Sequence, residues 1–224
     1  MSLPRLGGLA LVLMMGSLDA SAQMSKSVGW SSDYWYRGIS LSAGVPVFQG
    51  TLNYDFRDGW YAGASGSSAR NANGALVAQA VLFGGVSKRL DAATSLELGA
   101  HVTSLVDAPS LAFTEIYAGV IRQSYSLRLY YSPRYLGEKK QTTYVDFNTA
   151  YSLSSSWYLM LHLGWLEAMS VERTHFSNRY DARLGMGAYV GFWNYQLSFN
   201  KVRSSEPLTV DAANRWMLNV SYSF

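Results

Sequence analysis

The chain has 224 residues, with 18 Lys and Arg against 15 Asp and Glu, and no cysteine. The lack of cysteine excludes disulfides, thiolate nucleophiles, cysteine-ligated metals and a lipid attached through an N-terminal cysteine. The formal charge of +3 comes from basic residues scattered along the chain, so nucleic acid is not an expected partner.

The first 22 residues have the form of a secretory signal peptide. Arg5 supplies the positive charge, residues 6–15 form a short apolar stretch, and Ala20-Ser21-Ala22 is a small-residue cleavage site. The apolar stretch is about half the length needed for a membrane-spanning helix. We therefore expect export, removal of residues 1–22, and a mature domain of residues 23–224.

The mature chain is dominated by alternation of apolar and polar residues, the pattern of β-strands with two different faces. Its 16 Tyr, 7 Trp, 9 Phe and 20 Gly beside only 5 Pro also favour β-structure. The predicted strands, in chain order, are 27–37, 48–56, 60–67, 75–88, 95–105, 111–122, 127–135, 145–152, 157–165, 182–190, 193–200 and 216–224.

The connections between these strands form two alternating sets. Compact turns are predicted at 57–59, 90–94, 123–126, 153–156 and Phe192. Longer polar connections are predicted at 38–44, 68–74, 107–110, 137–141, 169–178 and 204–214. In outer-membrane barrels the short turns face the periplasm and the long loops face outside, so this alternation places both termini in the periplasm.

An all-β fold of about twelve antiparallel strands, closed into a transmembrane barrel, is the fold that these patterns favour. A sheet that crosses lipid must close, because acyl chains offer no hydrogen-bond partners to a free edge. A soluble β-sandwich also alternates, but its outer face would be mostly charged, whereas the polar face here is rich in Gly, Ser, Thr and Asn. The chain also ends on Phe224 within its clearest alternating strand, the form of signal that outer-membrane assembly machinery recognises.

Several motifs of the mature chain resemble those of a known bacterial family. Residues 31–40 read Ser-Ser-Asp-Tyr-Trp-Tyr-Arg-Gly-Ile-Ser, and Gly-Trp-Tyr-Ala-Gly follows at 59–63, Tyr-Tyr-Ser-Pro-Arg-Tyr at 130–135 and Tyr-Val-Asp at 144–146. With these motifs spread over nearly the whole mature chain, the sequence resembles the TorF-like porin family. The resemblance implies an outer-membrane barrel with channel activity, without enzyme chemistry or a cofactor, and implies no particular solute.

The inward face of the predicted strands carries charges of both signs. The residues expected to line the pore are Asp33, Arg37, Asp55, Glu97, His101, Glu115, Arg128, Arg134, Asp146, His162, Asp181 and Arg183. Opposed acidic and basic walls can orient a solute in a constriction, and paired ions can instead make a closed interior rigid. The sequence leaves both possibilities open. Arg37, at the outer end of the first predicted strand, is expected to pair with an inward carboxylate of an adjoining strand.

The three histidines raise the alternatives of a hydrolase and a metal site. A barrel that hydrolyses lipids would turn His and a nucleophile toward the leaflet, but the alternation places His101 and His162 on the inward face. Glu97 and His101 share one strand face and could bind a metal with Glu115, although no further ligand is evident. No catalytic residue, metal or cofactor is therefore expected.

The sequence therefore predicts a Gram-negative outer-membrane porin in which small polar solutes diffuse through a narrow, mixed-charge lumen. The expected partners are outer-membrane lipids, lipopolysaccharide, the barrel-assembly machinery during insertion, and the solutes themselves. Lys139 and Lys140, in a predicted outer loop, could contact lipopolysaccharide phosphates but are expected to be simply solvated. The alternative is a closed barrel with a structural, adhesion or hydrolase role.

Overall fold

The computed structural model describes residues 23–70, 76–106, 108–137, 140–169, 178–204 and 215–224. The predicted signal peptide lies outside these ranges. The strands are β1 (Gln23–Ser31), β2 (Trp35–Tyr36), β3 (Ile39–Ser40), β4 (Val47–Asp55), β5 (Trp60–Arg70), β6 (Leu76–Arg89), β7 (Thr94–Leu105), β8 (Ala108–Arg122), β9 (Tyr125–Ser132), β10 (Thr142–Ser152), β11 (Trp157–Ala168), β12 (Arg179–Val190), β13 (Trp193–Ser204) and β14 (Arg215–Ser223). Single 3-10 turns occupy Arg57–Gly59 and Tyr135–Gly137.

Twelve of these strands, β1 and β4–β14, form one closed antiparallel barrel over the described ranges. Each strand pairs with the next along the chain, and β1 closes the barrel by pairing with β14, where Ser27 lies opposite Ser223 and Ser31 opposite Asn219. The other edge of β1 pairs with β4 from Gln23 opposite Asp55 to Ser31 opposite Val47. The predicted fold class and strand number are confirmed.

The barrel exposes its apolar side chains and buries its polar ones. Along β13, Trp193, Tyr195 and Leu197 are exposed, whereas Asn194 and Gln196 between them are buried. This arrangement reverses that of a water-soluble sheet protein, in which the apolar face is covered. It is the arrangement expected when the outer wall contacts acyl chains and the inner wall surrounds water.

A charge on this outer wall is expected to destabilise the barrel strongly. Leu184 is 62% exposed and lies midway along β12. Leu184→Arg should lower the free energy of unfolding in lipid vesicles by about 2–4 kcal/mol, because the guanidinium would enter the acyl region. Urea titration followed by tryptophan fluorescence measures the change, with Leu184→Phe as the control that keeps the wall apolar. Equal stability of the arginine and phenylalanine variants would contradict a lipid-facing Leu184.

None of the helices in the described ranges is long and apolar enough to cross a membrane.

The connection between β1 and β4, residues 32–46, turns back into the barrel, and we call it the inward segment. It contains the small hairpin of β2 and β3, with Trp35 opposite Ser40 and Tyr36 opposite Ile39. The sequence-based prediction of a first strand reaching residue 37 and an exterior loop at 38–44 is therefore wrong. β1 ends at Ser31 because the residues that follow form a tight turn around a buried carboxylate.

Candidate functional site in the barrel interior

Asp33, near the start of the inward segment, binds the residues that form the turn of the segment. Its carboxylate accepts hydrogen bonds from Trp35 Nε1 at 2.6 Å, Ser40 Oγ at 2.6 Å and Ser42 Oγ at 2.7 Å, and also from the backbone N–H groups of Tyr34 and Gly44. Asp33 is only 3% exposed. A buried carboxylate is stable only when its oxygens are satisfied, so this set of donors fixes the fold of the segment.

The tip of the inward segment, residues 36–38, is held by an ion pair that crosses the barrel. The Arg37 guanidinium donates to both carboxylate oxygens of Glu115 on β8, at 2.6 and 2.7 Å. Tyr36 Oη donates to the same carboxylate at 3.0 Å, and His101 Nε2 lies 2.9 Å from it. The sequence predicted an inward carboxylate as the partner of Arg37 and placed it on an adjoining strand. The partner is instead on β8, which is separated from β1 by four strands around the barrel, because the inward segment carries Arg37 into the interior.

Four tyrosine rings surround the Arg37 guanidinium. Its central carbon lies 4.4 Å from the ring centre of Tyr144, 4.9 Å from Tyr36, 5.0 Å from Tyr130 and 5.7 Å from Tyr135. Cation–π contacts of this kind stabilise a desolvated guanidinium. Burial raises the pKa of Tyr36 well above its ordinary value, so its hydroxyl remains a donor to Glu115. None of these tyrosines is among the pore residues predicted from the sequence, although the inward alternation of β9 and β10 could have placed Tyr130 and Tyr144 there.

Gly38 brings the tip against the opposite wall at β12. Its φ of +77° lies in the left-handed region, and a Cβ there would lie 2.9 Å from Arg179 Cδ and 3.1 Å from Asp181 Cβ. Arg179 also donates to the carbonyl oxygen of Arg37 at 3.2 Å. Only glycine combines this backbone conformation with so close an approach. The inward segment therefore contacts both β8 and β12 across the interior.

A second cluster lies on β5, β7, β8 and β9. Glu97 accepts hydrogen bonds from Arg128 Nε at 2.7 Å and from Tyr61 Oη at 2.6 Å, and Tyr61 Oη lies 2.6 Å from Tyr117 Oη. Glu97 and Arg128 are thus neutralised by each other rather than left to solvent. The pairs Glu97–Arg128 and Arg37–Glu115 therefore neutralise the charges on the side of the interior formed by β7–β9.

A third cluster surrounds His162 on β11. His162 Nε2 lies 2.7 Å from Asp181, and Nδ1 lies 3.2 Å from Asp146 and 2.9 Å from Asn148. Tyr144 Oη also lies 3.2 Å from His162.

His101 and His162 both face the interior, as the alternation predicted, and both are bonded to carboxylates. His175 lies outside the described residues, as does Lys139. Among the described residues, no group of three or more His, Asp or Glu could hold a metal ion.

The remaining predicted pore residues are separate from these clusters. Asp55 is half-buried and is the last residue of β4. Arg134 is exposed in the turn after β9, which ends at Ser132, so the predicted strand at 127–135 extends too far. Arg183 on β12 donates to Asn200 Oδ1 at 2.7 Å, and no carboxylate of the described residues lies within ion-pair distance of it.

Arg183 borders a cavity between the inward segment and the barrel wall. The cavity has a volume of about 80 Å³, and Asp33 and Trp35 of the inward segment and Arg183, Gln196 and Asn219 of the wall are among its lining residues. The lining is mixed, since Met160 and Met217 also border the cavity, and the volume is room for only a few water molecules. The interior is therefore narrow on the side of β12–β14 and filled by paired side chains on the side of β7–β10.

The solved structures that share this barrel fold include porins. The chain superposes on the KdgM porin with a TM-score of 0.57 at 12% identity, covering 91% of this chain and 99% of that one. The NanC porin gives a TM-score of 0.58 at 10% identity, with coverage of 90% and 99%. A structure of the KdgM porin in complex with disordered oligogalacturonate gives 0.50 at 13% identity, with coverage of 91% and 99%.

The sequence comparisons identify a family rather than an activity. A family model described as a bacterial protein of unknown function, Gcw_chp, matches residues 17–190. No curated protein matches the chain. The description of the family names neither a fold nor an activity, and it does not carry the TorF name. The barrel is shown by the structure, and the resemblance to the TorF-like family stays a prediction.

Proposed function

We propose that this chain, which belongs to the Gcw_chp family of bacterial proteins of unknown function, is an outer-membrane channel through which small polar solutes diffuse. The observation that carries the proposal is the closed twelve-stranded wall, apolar outside and polar inside. A wall of this kind separates water from lipid, and its interior can pass only what dissolves in water. The proposal places the mature chain in the outer membrane, inserted by the barrel-assembly machinery and surrounded by outer-membrane lipids and lipopolysaccharide.

The inward segment is the constriction in this proposal. It is held on one side by Glu115 and packs on the other against Arg179 and Asp181. A solute would pass beside the start of the segment, away from its contact with β12, through the cavity that Asp33 shares with Arg183 and Met217 of the barrel wall. The paired charges on β7–β10 keep the opposite side of the interior rigid, so the passage is left to the wall of β13 and β14.

Arg183 is the charge on the barrel wall that borders the cavity. Among the described residues its hydrogen-bond partner is the neutral amide of Asn200, whereas Arg37 and Arg128 are each neutralised by a glutamate. A guanidinium without a carboxylate attracts the carboxylate, phosphate or sulfate group of a solute. We therefore expect the constriction to favour small anions over cations of the same size.

Arg183→Gln should reduce this preference. The ratio of chloride to potassium permeability is expected to fall at least fivefold, because a unit charge a few ångströms away changes the energy of each ion by about 1 kcal/mol even in water, in opposite directions for chloride and potassium. Reversal potentials across a planar bilayer with a potassium chloride gradient measure the ratio. Lys88→Gln is the matched control, since it removes the same charge from an exposed position on β6. An unchanged reversal potential in Arg183→Gln would exclude Arg183 as a selectivity-determining residue.

A closed barrel with a structural or adhesion role is the second candidate. The observation that favours it is the burial of the inward segment, whose Arg37 and Asp33 are both almost inaccessible to solvent. If the segment stays in place at all times, only water and the smallest ions would pass. Conductance distinguishes the two candidates, because a closed barrel gives no discrete steps in a bilayer.

A further inference from the structure

The outer wall of the barrel carries an apolar groove across β10–β13. The groove has a volume of about 410 Å³, and its apolar lining comes from outward side chains that include Phe147, Leu163, Trp165 and Tyr180. Its floor is Ala182, which lies between the larger Leu163 on β11 and Lys201 on β13. A small residue between large neighbours leaves a depression wide enough for acyl chains.

Aromatic residues form one end of the groove. The rings of Trp165 and Tyr180 stack with centroids 6.1 Å apart and an angle of 5° between their planes. Tyr180 lies directly opposite Arg203 on β13. Tryptophan and tyrosine concentrate at the level of lipid headgroups in membrane barrels, so the stacked pair marks the boundary between acyl chains and headgroups.

Two cations lie at the same end of the groove. Lys201 and Arg203 are exposed, are two residues apart on one face of β13, and both line the groove. Neither forms an ion pair with a carboxylate of the described residues, and Glu167, the nearby acid on the outward face of β11, is not within ion-pair distance of either. A pair of free cations beside an apolar groove complements a lipid with a phosphorylated headgroup.

The end of the barrel that carries these cations is the one with the long connections. β13 ends at Ser204, next to the connection of residues 205–214, whereas its other end joins β12 through residues 191–192 alone. Long connections face the cell exterior in outer-membrane barrels. Lys201 and Arg203 therefore lie at the headgroup level of the outer leaflet, which is built of lipopolysaccharide.

We propose that the groove of Phe147, Leu163, Trp165 and Tyr180, with Lys201 and Arg203 at its edge, is a binding site for the lipid A part of lipopolysaccharide. The two cations contact a lipid A phosphate, the stacked rings lie beside the glucosamine headgroup, and an acyl chain lies over Ala182. The site is on the outer wall, so it is independent of whether the interior conducts. It would fix the barrel in the outer leaflet and order the lipid next to β10–β13.

Native mass spectrometry of the detergent-solubilised barrel, titrated with purified bisphosphorylated lipid A, tests the proposal. The wild type should bind one lipid A tightly, and the double variant Lys201→Gln with Arg203→Gln should bind it about tenfold more weakly or worse, since each surface cation contributes to anionic lipid binding. Lys26→Gln with Lys88→Gln is the matched control, because it removes two charges from the outward face at the opposite end of the barrel. It should bind lipid A as the wild type does.

Two further experiments distinguish a specific lipid A site from non-specific binding of any anionic lipid. Ala182→Trp fills the groove and keeps both cations, and it should also weaken binding of lipid A. Phosphatidylglycerol, which has one phosphate and two acyl chains, should bind the wild type more weakly than lipid A. Equal binding of lipid A by the wild type and the Lys201→Gln, Arg203→Gln variant would overturn the proposal, as would equal binding of phosphatidylglycerol and lipid A by the wild type.

Discussion

Glu115→Ala should lower the free energy of unfolding of the barrel by about 3–5 kcal/mol, the cost typical of leaving a buried charge without its partner. Glu115 is 1% exposed, and its loss removes the bidentate partner of Arg37 and the hydrogen-bond partner of Tyr36 and His101. Urea unfolding in lipid vesicles, followed by tryptophan fluorescence, measures the change.

A double variant separates the ion pair from the packing around it. Arg37→Met with Glu115→Leu removes both charges and keeps apolar bulk among the tyrosine rings, and replacing a buried ion pair by apolar groups is often close to neutral. The double variant should therefore be more stable than Glu115→Ala. A loss of less than about 1 kcal/mol in Glu115→Ala would contradict a buried, desolvated pair.

Replacement of the inward segment by a short turn should widen the passage several-fold. Ser31 and Val47 are directly paired, so a four-residue glycine and serine turn in place of residues 32–46 closes the hairpin of β1 and β4. Glu115→Gln is added so that no buried charge is left without a partner. Swelling of liposomes in sugars of increasing size should become several-fold faster and should extend to larger sugars.

Two controls make this result interpretable. Glu115→Gln alone keeps the inward segment, so its swelling rate should stay near that of the wild type. Folding of the shortened variant is checked by electrophoresis of heated and unheated samples. A folded barrel is unfolded by heating, so the heated sample should migrate more slowly than the unheated one. A shortened barrel that is folded and swells liposomes no faster than the wild type would show that the segment is not the constriction.

The barrel wall could be predicted from the sequence because its cause is local. A strand whose two faces meet lipid and water must alternate, and the alternation at 193–200 and 216–224 is confirmed by the exposed Trp193, Tyr195, Trp216 and Leu218. Glu97, His101, Glu115 and His162 also lie on the inward face, to which the alternation assigns them, and their role in lining a pore stays a prediction. The twelve strands and their antiparallel order therefore follow from the period of two and from the short turns.

The inward segment could not be predicted in this way, because its cause is not local. A segment with Gly38, Gly44 and three serines has turn-forming residues typical of an exterior loop, and nothing in its period shows that it returns to the interior. Its position depends on Arg37 meeting Glu115, 78 residues away in the chain, and on Asp33 collecting donors from its own turn. Arg134 shows the opposite error. The alternation of the sequence continues to Tyr135, but β9 ends at Ser132 and the chain then enters the turn of Tyr135–Gly137.

Conductance of the purified wild-type barrel in a planar bilayer tests the central claim most directly. If the wall encloses a water-filled passage beside the inward segment, the folded protein should produce small, discrete current steps that recur with each insertion. A folded barrel that inserts into the bilayer, as shown by protection of its strands from protease, and yet gives no current steps would contradict a channel and favour the closed barrel.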